Sequence, residues 1–341
     1  MGIPPLTAVP GATRWAPTLT GRRFFVVGGA GFIGSHFADA LLDQPVNAVT
    51  VYDNFSSGRH WHLEHHVGDS RFRVVEGDVK DGERLRDSMD GHDVVIHLAS
   101  NPDIARAATE PDIDFHEGTY LTHQVVEAMR VTSAKRVLYA SGSGVYGDLG
   151  EREAHEDHGP LVPVSTYGAS KLAGEALISS YCFMFGLVAR AFRFGNVVGP
   201  RQTHGVGFDF VRRLLADPTR LRILGDGSQS KSYIHVHDVV SAVLTAHALD
   251  DASFRTYNVA TGDYITVKEI ADLAVECVGL SRDDVSYEYS GGDRGWKGDV
   301  PIVRLNTDRI LALGWHCSRN TRDALTASID SMLVDARVGR L

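Results

Sequence analysis

The sequence has few cysteines and no long apolar run. Its 341 residues include three scattered cysteines, Cys182, Cys277 and Cys317. This odd set argues against a disulfide framework and favours a reducing compartment, so we expect a cytoplasmic protein. No stretch is long and apolar enough to cross a bilayer. Residues 1–20 are rich in proline and small residues, lack the apolar segment of a signal peptide, and are expected to form a loose extension.

Positive charge is also scarce. The chain carries 34 lysine and arginine residues against 43 aspartate and glutamate residues, a formal net charge of −9. This imbalance argues against nucleic acid or an anionic membrane as the main partner. An anionic substrate would need a local basic pocket. The length is sufficient for one large α/β domain or two smaller ones.

Glycines, in contrast, are concentrated in the segment from Phe24 to His36, which reads FFVVGGAGFIGSH. It predicts a buried strand, a glycine turn and a helix from residue 32 to about 42. This arrangement presents backbone N–H groups and the positive end of a helix dipole to an anion, and glycine allows a pyrophosphate to approach. The segment therefore predicts a dinucleotide site with contacts from Gly28, Gly31, Phe32, Ile33 and Gly34.

The second predicted strand, Ala48 to Tyr52, is followed by Asp53. An acid about 20 residues beyond the glycines binds the adenosine ribose hydroxyls and repels a 2′-phosphate. Asp53 therefore favours NAD over NADP, although the nearby Arg59 leaves NADP open. An ordinary strand–turn–helix unit with a solvated aspartate is the alternative.

Alternation of strands and helices from residue 24 to 194 predicts a Rossmann-type, doubly wound parallel sheet. The carboxyl ends of its strands would line the ligand crevice. Asp78, after the third strand, is expected to accept from the adenine amino group or to cap the next helix. Further predicted strands cover 72–76, 93–98, 136–141 and 187–194, and further helices cover 81–89, 113–131 and 166–185.

Beyond Pro200 the predicted elements become shorter. A loop at 203–207 precedes a helix at 208–216, and a later strand at 233–236 leads into a helix that Asp238 is expected to cap. We expect a cofactor domain of residues 21–195 and 232–260. A smaller C-terminal α/β substrate lobe would comprise residues 196–231 and 261–335, with the site in the crevice between them.

Tyr167 and Lys171 are one helical turn apart, so they share a helix face. A free tyrosine has a pKa of about 10 and is a poor base at neutral pH. A neighbouring ammonium and the positive nicotinamide ring of NAD would favour the phenolate. Such a phenolate takes the proton of a sugar hydroxyl while the carbon gives a hydride to NAD. An ordinary tyrosine–lysine pair on a helix surface is the alternative.

Further motifs follow in the same order as in extended short-chain dehydrogenases/reductases: HLAS at 97–100, ASGSGVYGD at 140–148, YGASK at 167–171 and RFGNVVGPR at 193–201. The chain resembles the nucleotide-sugar epimerase/dehydratase branch over about residues 22 to 335. The resemblance implies Tyr167 as base, Lys171 at the nicotinamide ribose and Asn196 at the substrate diphosphate. It implies additional cofactor contacts from Asn54, Ser56, Ser57, Gly58, Asp78, Val79, Leu98, Ala99, Ser100, Ser141 and Val197.

The residues before Val145 distinguish reactions within that branch. The 4,6-dehydratases resemble Thr-Asp-Glu-Val-Tyr-Gly, and uronate decarboxylases resemble Thr-Ser-Glu-Val-Tyr-Gly. Here Ser143 and Gly144 stand at the acidic positions, so the carboxyl groups for that chemistry are missing. What remains supports oxidation at C4, rotation of the 4-keto sugar and hydride return, which is 4-epimerisation.

Two residues depart from the family pattern. Gly142 stands where the family has its catalytic serine or threonine, and Phe115 stands where it usually has an asparagine. We expect Ser143 to contact the substrate as the third catalytic residue and Ser141 to lie nearer the nicotinamide.

Segments 225–236 and 291–300 resemble the branch's nucleotide-binding segments. Lys231 replaces an arginine, which keeps the charge but loses the bidentate fork. The resemblance assigns Arg294 to the diphosphate and Asp299 to the uridine ribose or to lobe closure, with a surface loop as the alternative. The predicted substrate contacts are Ser143, Gly144, Asn196, Gly207, Gln229, Lys231, Arg294 and Asp299.

The wording GGDRGWKGDVP together with GSGVYGD resembles actinobacterial UDP-glucuronate 4-epimerases of antibiotic biosynthesis, such as that of the moenomycin pathway. The resemblance implies interconversion of UDP-glucuronate and UDP-galacturonate with NAD and without a metal. The alternatives are UDP-glucose/UDP-galactose epimerisation, a dehydratase or reductase, and a non-catalytic NAD-binding regulator. It also implies a homodimer that pairs helices 113–131 and 166–185, unless their apolar residues serve core packing.

Overall fold

The structure is a computed structural model that describes residues 19–341, apart from the side chain of Ala105. The predicted loose extension lies outside the described residues except at Leu19 and Thr20. Leu19 is 1% exposed and packs in the core, so packing begins before the expected boundary at residue 21. None of the helices described in 19–341 combines the length and the apolar character needed to span a membrane.

The strands are β1 Arg23–Val27, β2 Ala48–Asp53, β3 Phe72–Glu76, β4 Val94–His97, β5 Arg136–Gly142, β6 Val188–Phe194, β7 Asn196–Val198, β8 Arg220–Ile223, β9 Ser230–Lys231, β10 Tyr233–His235, β11 Phe254–Val259, β12 Ile265–Thr266 and β13 Ser286–Tyr289. The α-helices are α1 Phe32–Leu42, α2 Gly82–Met89, α3 Tyr120–Val131, α4 Thr166–Phe185, α5 Val206–Ala216, α6 Val236–Leu249, α7 Val267–Val278, α8 Asp308–Leu311 and α9 Thr321–Arg337.

A parallel sheet forms the centre of the molecule. In residues 19–341 it has seven strands in the order β11-β6-β5-β4-β1-β2-β3, so the chain runs outward from β1 in both directions. The predicted Rossmann-type fold is thereby confirmed. The order reverses between β1 and β4, and the crevice beyond the carboxyl ends of these strands is where ligands bind in such sheets.

Helices cover both faces of the sheet. Residues of α1 and α6, such as Phe37 and Val243, pack on one face, and residues of α3 and α4, such as Val125 and Ile178, pack on the other. Strands covered on both sides must be apolar throughout, as Phe24 to Val27 are. A third apolar cluster joins α5, α7 and α9 with β8 and β13, beyond the sheet.

Several predicted helix boundaries need correction. The expected helix over 113–131 is a π-helical segment at Phe115–Thr119 followed by α3. Asp81, not Asp78, caps α2, since its side chain accepts from the Arg84 N–H. His235, not Asp238, caps α6. The reason is that several polar side chains near each helix start compete for the same N–H groups, and tertiary contacts select one.

Two further differences concern the segment after residue 200. The predicted loop at 203–207 ends at Gly205, and Gly207 lies in the first turn of α5, where its Cα faces Leu325. Asp238 lies in the first turn of α6 and accepts from the Ser318 N–H at 2.9 Å instead of capping the helix. The edge strand β11, within the segment expected to return to the first domain, extends the sheet beyond the predicted strands.

Candidate active site

The glycine turn is built by close contacts between backbone segments. Gly28 has φ +80°, and a Cβ there would lie 2.7 Å from the Ala99 nitrogen at the end of β4. A Cβ on Gly34 would overlap the Gly28 carbonyl oxygen and the Gly29 Cα. Side chains are therefore excluded at both positions, and Gly31 begins α1 with no side chain over the helix end. The loop is an open cradle of N–H groups at a helix N-terminus, as an anion requires.

Asp53 closes the side of this cradle. It is 8% exposed, and its two carboxylate oxygens accept from the N–H groups of Ala30 and Phe55, both at 2.8 Å. Burial raises its pKa, while these two hydrogen bonds lower it. Gly58 is held against the same carboxylate, since a Cβ there would lie 3.0 Å from Asp53 Oδ1. Asp53 therefore both shapes the loop and stands at the predicted ribose position.

The predicted adenine contacts lie beside Asp53. Asp78 accepts from the Asn54 side chain at 3.2 Å and from the Lys80 N–H at 2.8 Å. Asn54 in turn accepts from the Ser56 N–H at 3.1 Å. The guanidinium of Arg59 donates to the carbonyls of Ser57 and Gly58. Leu98 and Ala99 donate to the Val27 carbonyl, and Val79 is buried in the core.

Lys171 is buried beneath Tyr167. Its Nζ donates to the Ala140 carbonyl at 2.8 Å and lies 5.5 Å from the centre of the Tyr167 ring. Burial lowers the pKa of Lys171 to about 8. Burial raises the pKa of Tyr167 to about 12 in the protein alone, and the predicted lowering by Lys171 together with the nicotinamide charge of NAD stays a prediction. Loss of water is the largest influence on the Tyr167 pKa, and the negative charge of Asp114 adds to it.

The hydroxyl that faces Tyr167 comes from an unexpected position. A Cβ on Gly142 would lie 3.9 Å from the Tyr167 ring, so a serine or threonine there would stand beside the tyrosine. Instead, the Ser100 hydroxyl, at the end of β4, interacts with Tyr167 and lowers its pKa against the effect of burial. Ser100 was predicted only as a cofactor contact.

The Ser141 hydroxyl belongs to a buried hydrogen-bond network. Its hydroxyl donates to Glu175 Oε1 at 2.6 Å, and Glu175 also forms a two-pronged ion pair with Arg193. Arg193 donates to the Tyr146 hydroxyl, which donates to Asn258. The Ser141 side chain therefore points into the protein, and its predicted nicotinamide contact is left to the backbone.

Ser143 lies at the crevice, in the short 3₁₀ turn that follows β5. It lines a small cavity together with Arg152 and Arg304. The Arg304 guanidinium is fixed by the Ser230 carbonyl at 3.1 Å and by the Tyr264 ring at 4.0 Å. Arg304 also lies 3.6 Å from Glu151, so an acid beside the cavity offsets part of its positive charge.

The two predicted diphosphate cations are both paired with acids. Lys231 Nζ lies 2.6 Å from Asp299 Oδ1, and Arg294 Nη2 lies 2.6 Å from Asp148 Oδ2. Arg294 also donates to the Asp299 carbonyl, and Asp299 accepts from the Gly295 N–H at 3.0 Å. These contacts connect the segment at 291–300 with Lys231 of β9 and with Asp148.

The other predicted substrate contacts are spread along the crevice and its floor. Asn196 is exposed at the start of β7, and Val197 follows it in the strand. Gln229 is 2% exposed and turned toward the Leu224 carbonyl, while Gly207 is buried in α5. Gly144 packs against Gly168 in the first turn of α4. Gly144 thus lies beside the first turn of α4, which contains Tyr167, and Asn196 pairs with Tyr233 of β10, whereas Gly207 and Gln229 are buried in the lobe.

Asp114 is the main site residue that the sequence did not indicate. It is 2% exposed and accepts from Thr166 Oγ1 at 2.7 Å, directly before Tyr167. Its charge raises the pKa of both Tyr167 and Lys171. The only sequence signal was the departure at Phe115, the residue after it, which is 55% exposed.

One cluster outside the crevice has the composition of a metal site. His65 and His66 both contact Asp39 Oδ1 with their Nε2 atoms, at 2.8 and 2.7 Å. The second oxygen of Asp39 pairs with Arg201 at 2.9 Å. The carboxylate therefore ties α1 to the residues after β7, consistent with an ion-pair cluster.

The site fits NAD. The cradle that side chains would fill at Gly28 and Gly34 suits a pyrophosphate, and Asp53 stands at its side. Tyr167 and Lys171 lie at the carboxyl ends of β4 and β5, across from the cradle. The fold, the cradle and the Tyr–Lys pair thus point to one class of enzyme.

Comparisons with known proteins agree. Residues 24–260 match the family described as NAD dependent epimerase/dehydratase family. The chain is 33% identical to a UDP-glucose 4-epimerase of Mycolicibacterium smegmatis over 86% of its length and 93% of the relative's. It is 34% identical to a crystal structure of a UDP-galactose 4-epimerase, with TM-score 0.80 and coverage of 92% and 99%.

MoeE5 in complex with UDP-glucuronic acid and NAD is 26% identical, with TM-score 0.81 and coverage of 92% of this chain and 99% of that one. The matched family model spans more than half of the chain, and it includes the glycine cradle and the Tyr–Lys pair. The chain therefore belongs to the NAD dependent epimerase/dehydratase family of extended short-chain dehydrogenases/reductases, as an NAD-dependent enzyme of the nucleotide-sugar 4-epimerase type.

Proposed function

We propose that the protein interconverts UDP-glucuronate and UDP-galacturonate by epimerisation at C4. The observation that carries the reaction type is the buried Tyr167–Lys171 pair at the carboxyl end of the sheet, without a carboxyl group at positions 143 and 144. A 4,6-elimination needs an additional acid and base beside the sugar, which these positions do not supply.

The residues of the chain handle the proton. When bound, NAD would supply a hydride acceptor and donor for C4 of the sugar. Tyr167 would take the proton of the C4 hydroxyl and return it to the C4 oxygen after the 4-keto sugar has rotated to present its opposite face to the hydride. The pKa of about 12 for this tyrosine in the protein alone means that the phenolate must be favoured by positive charge that arrives with the ligands. Lys171 contributes the fixed part of that charge.

The choice of uronate depends on the cavity beside Ser143. A C6 carboxylate would introduce a second anionic group into the site, in addition to the diphosphate. Ser143 offers a hydroxyl, and Arg152 and Arg304 line the same cavity. Guanidinium groups pair with carboxylates more strongly than neutral donors do. This arrangement supports a uronate above a neutral hexose.

UDP-glucose is the second candidate substrate. A relative that is 33% identical over most of its length is a UDP-glucose 4-epimerase, so the hexose reaction has direct support from similarity. Ser143 can bind a C6 hydroxyl as well as a carboxylate. The two candidates share every step at C4 and differ in what the Ser143 cavity receives.

Product analysis by NMR tests both proposals. The purified protein is incubated separately with UDP-glucuronate and UDP-glucose, with catalytic NAD. We expect a galacto product from the uronate; a galacto product from UDP-glucose alone would keep the mechanism and reject the substrate ranking. No epimer from either, with NAD bound, would contradict the proposed function and favour another nucleotide sugar or a non-catalytic role.

The Tyr167→Phe variant assigns the base. It should lose turnover while it still binds NAD, because only the phenolic oxygen is removed. Tyr120→Phe is the matched control, since Tyr120 is 37% exposed on α3 and should keep full activity. Turnover retained by Tyr167→Phe would remove Tyr167 as the base.

We also propose a cytoplasmic homodimer. Apolar residues are exposed on the two helices expected to pair, including Tyr120 on α3 and Phe183 and Met184 on α4, which are 86% and 71% exposed. Their burial against a second copy would remove apolar area from water. A monomeric mass by light scattering would contradict this proposal. The implied role in antibiotic biosynthesis stays a prediction.

A further inference from the structure

Asp114 is a buried acid next to the candidate catalytic pair. Its side chain bridges two segments of the site, since it accepts from Asn101 Nδ2 at 2.8 Å in the loop after β4 and from Thr166 Oγ1 at 2.7 Å in α4. Asn101 also donates to the Asp103 carbonyl at 2.9 Å and accepts from the Asp103 N–H at 3.0 Å, which fixes the orientation of its amide. The side chain at position 114 thus receives two donors, the Asn101 amide and the Thr166 hydroxyl, and a carboxylate, which only accepts, satisfies both.

The backbone places this acid inward. The π-helical segment Phe115–Thr119 directly follows Asp114 and interrupts the usual helical phase. Phe115 is consequently 55% exposed, while Asp114 is 2% exposed. Single turns of π-helix are frequent at functional sites because they redirect one side chain. In this chain the redirected side chain is a carboxylate.

Neutral groups make both side-chain hydrogen bonds to Asp114, so its negative charge acts on the groups around it. On α4, its charge adds to the raised pKa of Tyr167 and opposes the lowering of the Lys171 pKa by burial. Within the protein, an ammonium deprived of water is stabilised by a fixed negative charge nearby.

The remaining titratable groups around the pair do not provide that charge. His97 on β4 is buried, and burial lowers its pKa to about 3, so it is neutral. Tyr139 on β5 is buried with a raised pKa and is also neutral. The negative charge of Glu175 on α4 is neutralised by its ion pair with Arg193. Asp114 is left as the acid whose charge reaches Lys171.

We propose that Asp114 is a positioning residue of the catalytic pair, which fixes the first turn of α4 through Thr166 and holds Lys171 as an ammonium by its negative charge. The proposal rests on the proposed function in the roles of Tyr167 and Lys171. It extends that function by a residue for which the sequence pattern gave no role.

The test titrates Tyr167 directly, without sugar substrate. Tyrosinate absorbance in the near ultraviolet is followed against pH for the NAD-bound protein, and the curve of the Tyr167→Phe variant is subtracted. In Asp114→Asn the midpoint of the Tyr167 titration should move to lower pH by about one pH unit, because a nearby negative charge is lost. Asp112→Asn is the matched control, since Asp112 is 76% exposed two residues away, and its midpoint should not move.

The pH profile of kcat gives the second readout. Both limbs should move to lower pH in Asp114→Asn, because the pKa of Tyr167 and that of Lys171 fall together. A merely structural role would lower kcat at every pH and leave the limbs in place. Unchanged midpoints and limbs in a folded Asp114→Asn protein would overturn the proposal.

Thr166→Val separates the hydrogen bond of Asp114 from its negative charge. It is also the test to use if Asp114→Asn does not fold. It removes the hydrogen bond at 2.7 Å and keeps the charge, so kcat should fall several-fold with the Tyr167 midpoint unchanged. An unchanged kcat would overturn the positioning role. If the midpoint shifts in Asp114→Asn but the unsubstituted protein forms no epimer, this inference stands and the proposed function is rejected. If the unsubstituted protein forms the epimer and the midpoint does not shift, the proposed function stands and this inference is rejected.

Discussion

The cofactor half and the substrate half of the site differ in what forms them. The cofactor half is made of backbone: Gly28 and Gly34 leave no room for a Cβ, and Asp53 is locked to two N–H groups. Such a surface is preformed, because the fold itself holds every atom of it. Within the turn, Gly28 and Gly31 donate to backbone carbonyls and Ala30 donates to Asp53, so these contacts hold its shape.

The substrate half is made of side chains that already have partners. Lys231 pairs with Asp299, and Arg294 pairs with Asp148, so a diphosphate at the predicted position would compete with two carboxylates. The comparison shows that a glycine motif fixes the shape of its binding surface through the backbone. A lysine or arginine in the sequence does not show whether its charge is available to a ligand. Its availability depends on which acids the fold places beside it.

The largest effect should come from Gly34→Ala in the cofactor half. The added Cβ overlaps the Gly28 carbonyl oxygen and has no flexible neighbour that can give way. We expect NAD binding to weaken by at least about 100-fold, roughly 2.7 kcal/mol, measured by calorimetry. Gly82→Ala is the control, since its Cβ meets only the Gln124 side chain at 3.2 Å. Full NAD affinity in Gly34→Ala would show that the cradle is not preformed.

An intermediate effect should follow Lys231→Ala in the substrate half. It removes a cation and leaves Asp299, 6% exposed, without its partner. A charge-assisted hydrogen bond contributes about 1.5 to 3 kcal/mol, so UDP should bind roughly 10- to 100-fold more weakly. NAD affinity, measured in parallel, should not change. Unchanged UDP affinity would remove Lys231 from the diphosphate site.

The smallest effect, with the opposite sign, should come from Asp148→Asn. It frees Arg294 from a half-exposed ion pair, which is worth about 0.2 to 1 kcal/mol, so UDP should bind up to about fivefold more tightly. The Arg294 hydrogen bond holds the pKa of Asp148 below its ordinary value of about 3.9. The pair is lost only as pH falls through that lowered pKa, so the effect should be constant at neutral pH.

Asp157→Asn is the control for that change, because Asp157 forms a comparable pair with Arg309 outside the crevice and is 85% exposed. It should leave UDP affinity unchanged. Weaker UDP binding by Asp148→Asn would reverse the interpretation, since Asp148 would then orient Arg294 for the substrate instead of competing with it.

Local sequence patterns predicted most of the fold. The helix Thr166–Phe185 and the strand Phe72–Glu76 have the predicted bounds, because apolar runs and capping residues act within a few positions. The predictions that failed concern competition. Asp238 and His235 both stand near the start of α6, and the Ser318 N–H, 80 residues away in the chain, takes the carboxylate.

The candidate site shows the same division. The sequence indicated Tyr167 and Lys171 by spacing, but not that burial would raise the pKa of Tyr167 and lower that of Lys171 in the protein alone. Ser141 was predicted to lie near the nicotinamide, and its hydroxyl donates to Glu175 instead of remaining free for a ligand. Asp114 was missed because an acid between two ordinary residues carries no pattern until a π-helical turn directs it inward.

By itself, the sequence determined the parallel sheet, the glycine cradle and the order of catalytic residues, since each depends on local backbone preference and on spacing along one element. Only the tertiary structure decided which charges are free. Asp148 pairs with Arg294, and Asp114 accepts from Thr166 beside Tyr167, across segments far apart in the chain. Electrostatic energy depends on distance and on exclusion of water, and both are set only when the segments pack together.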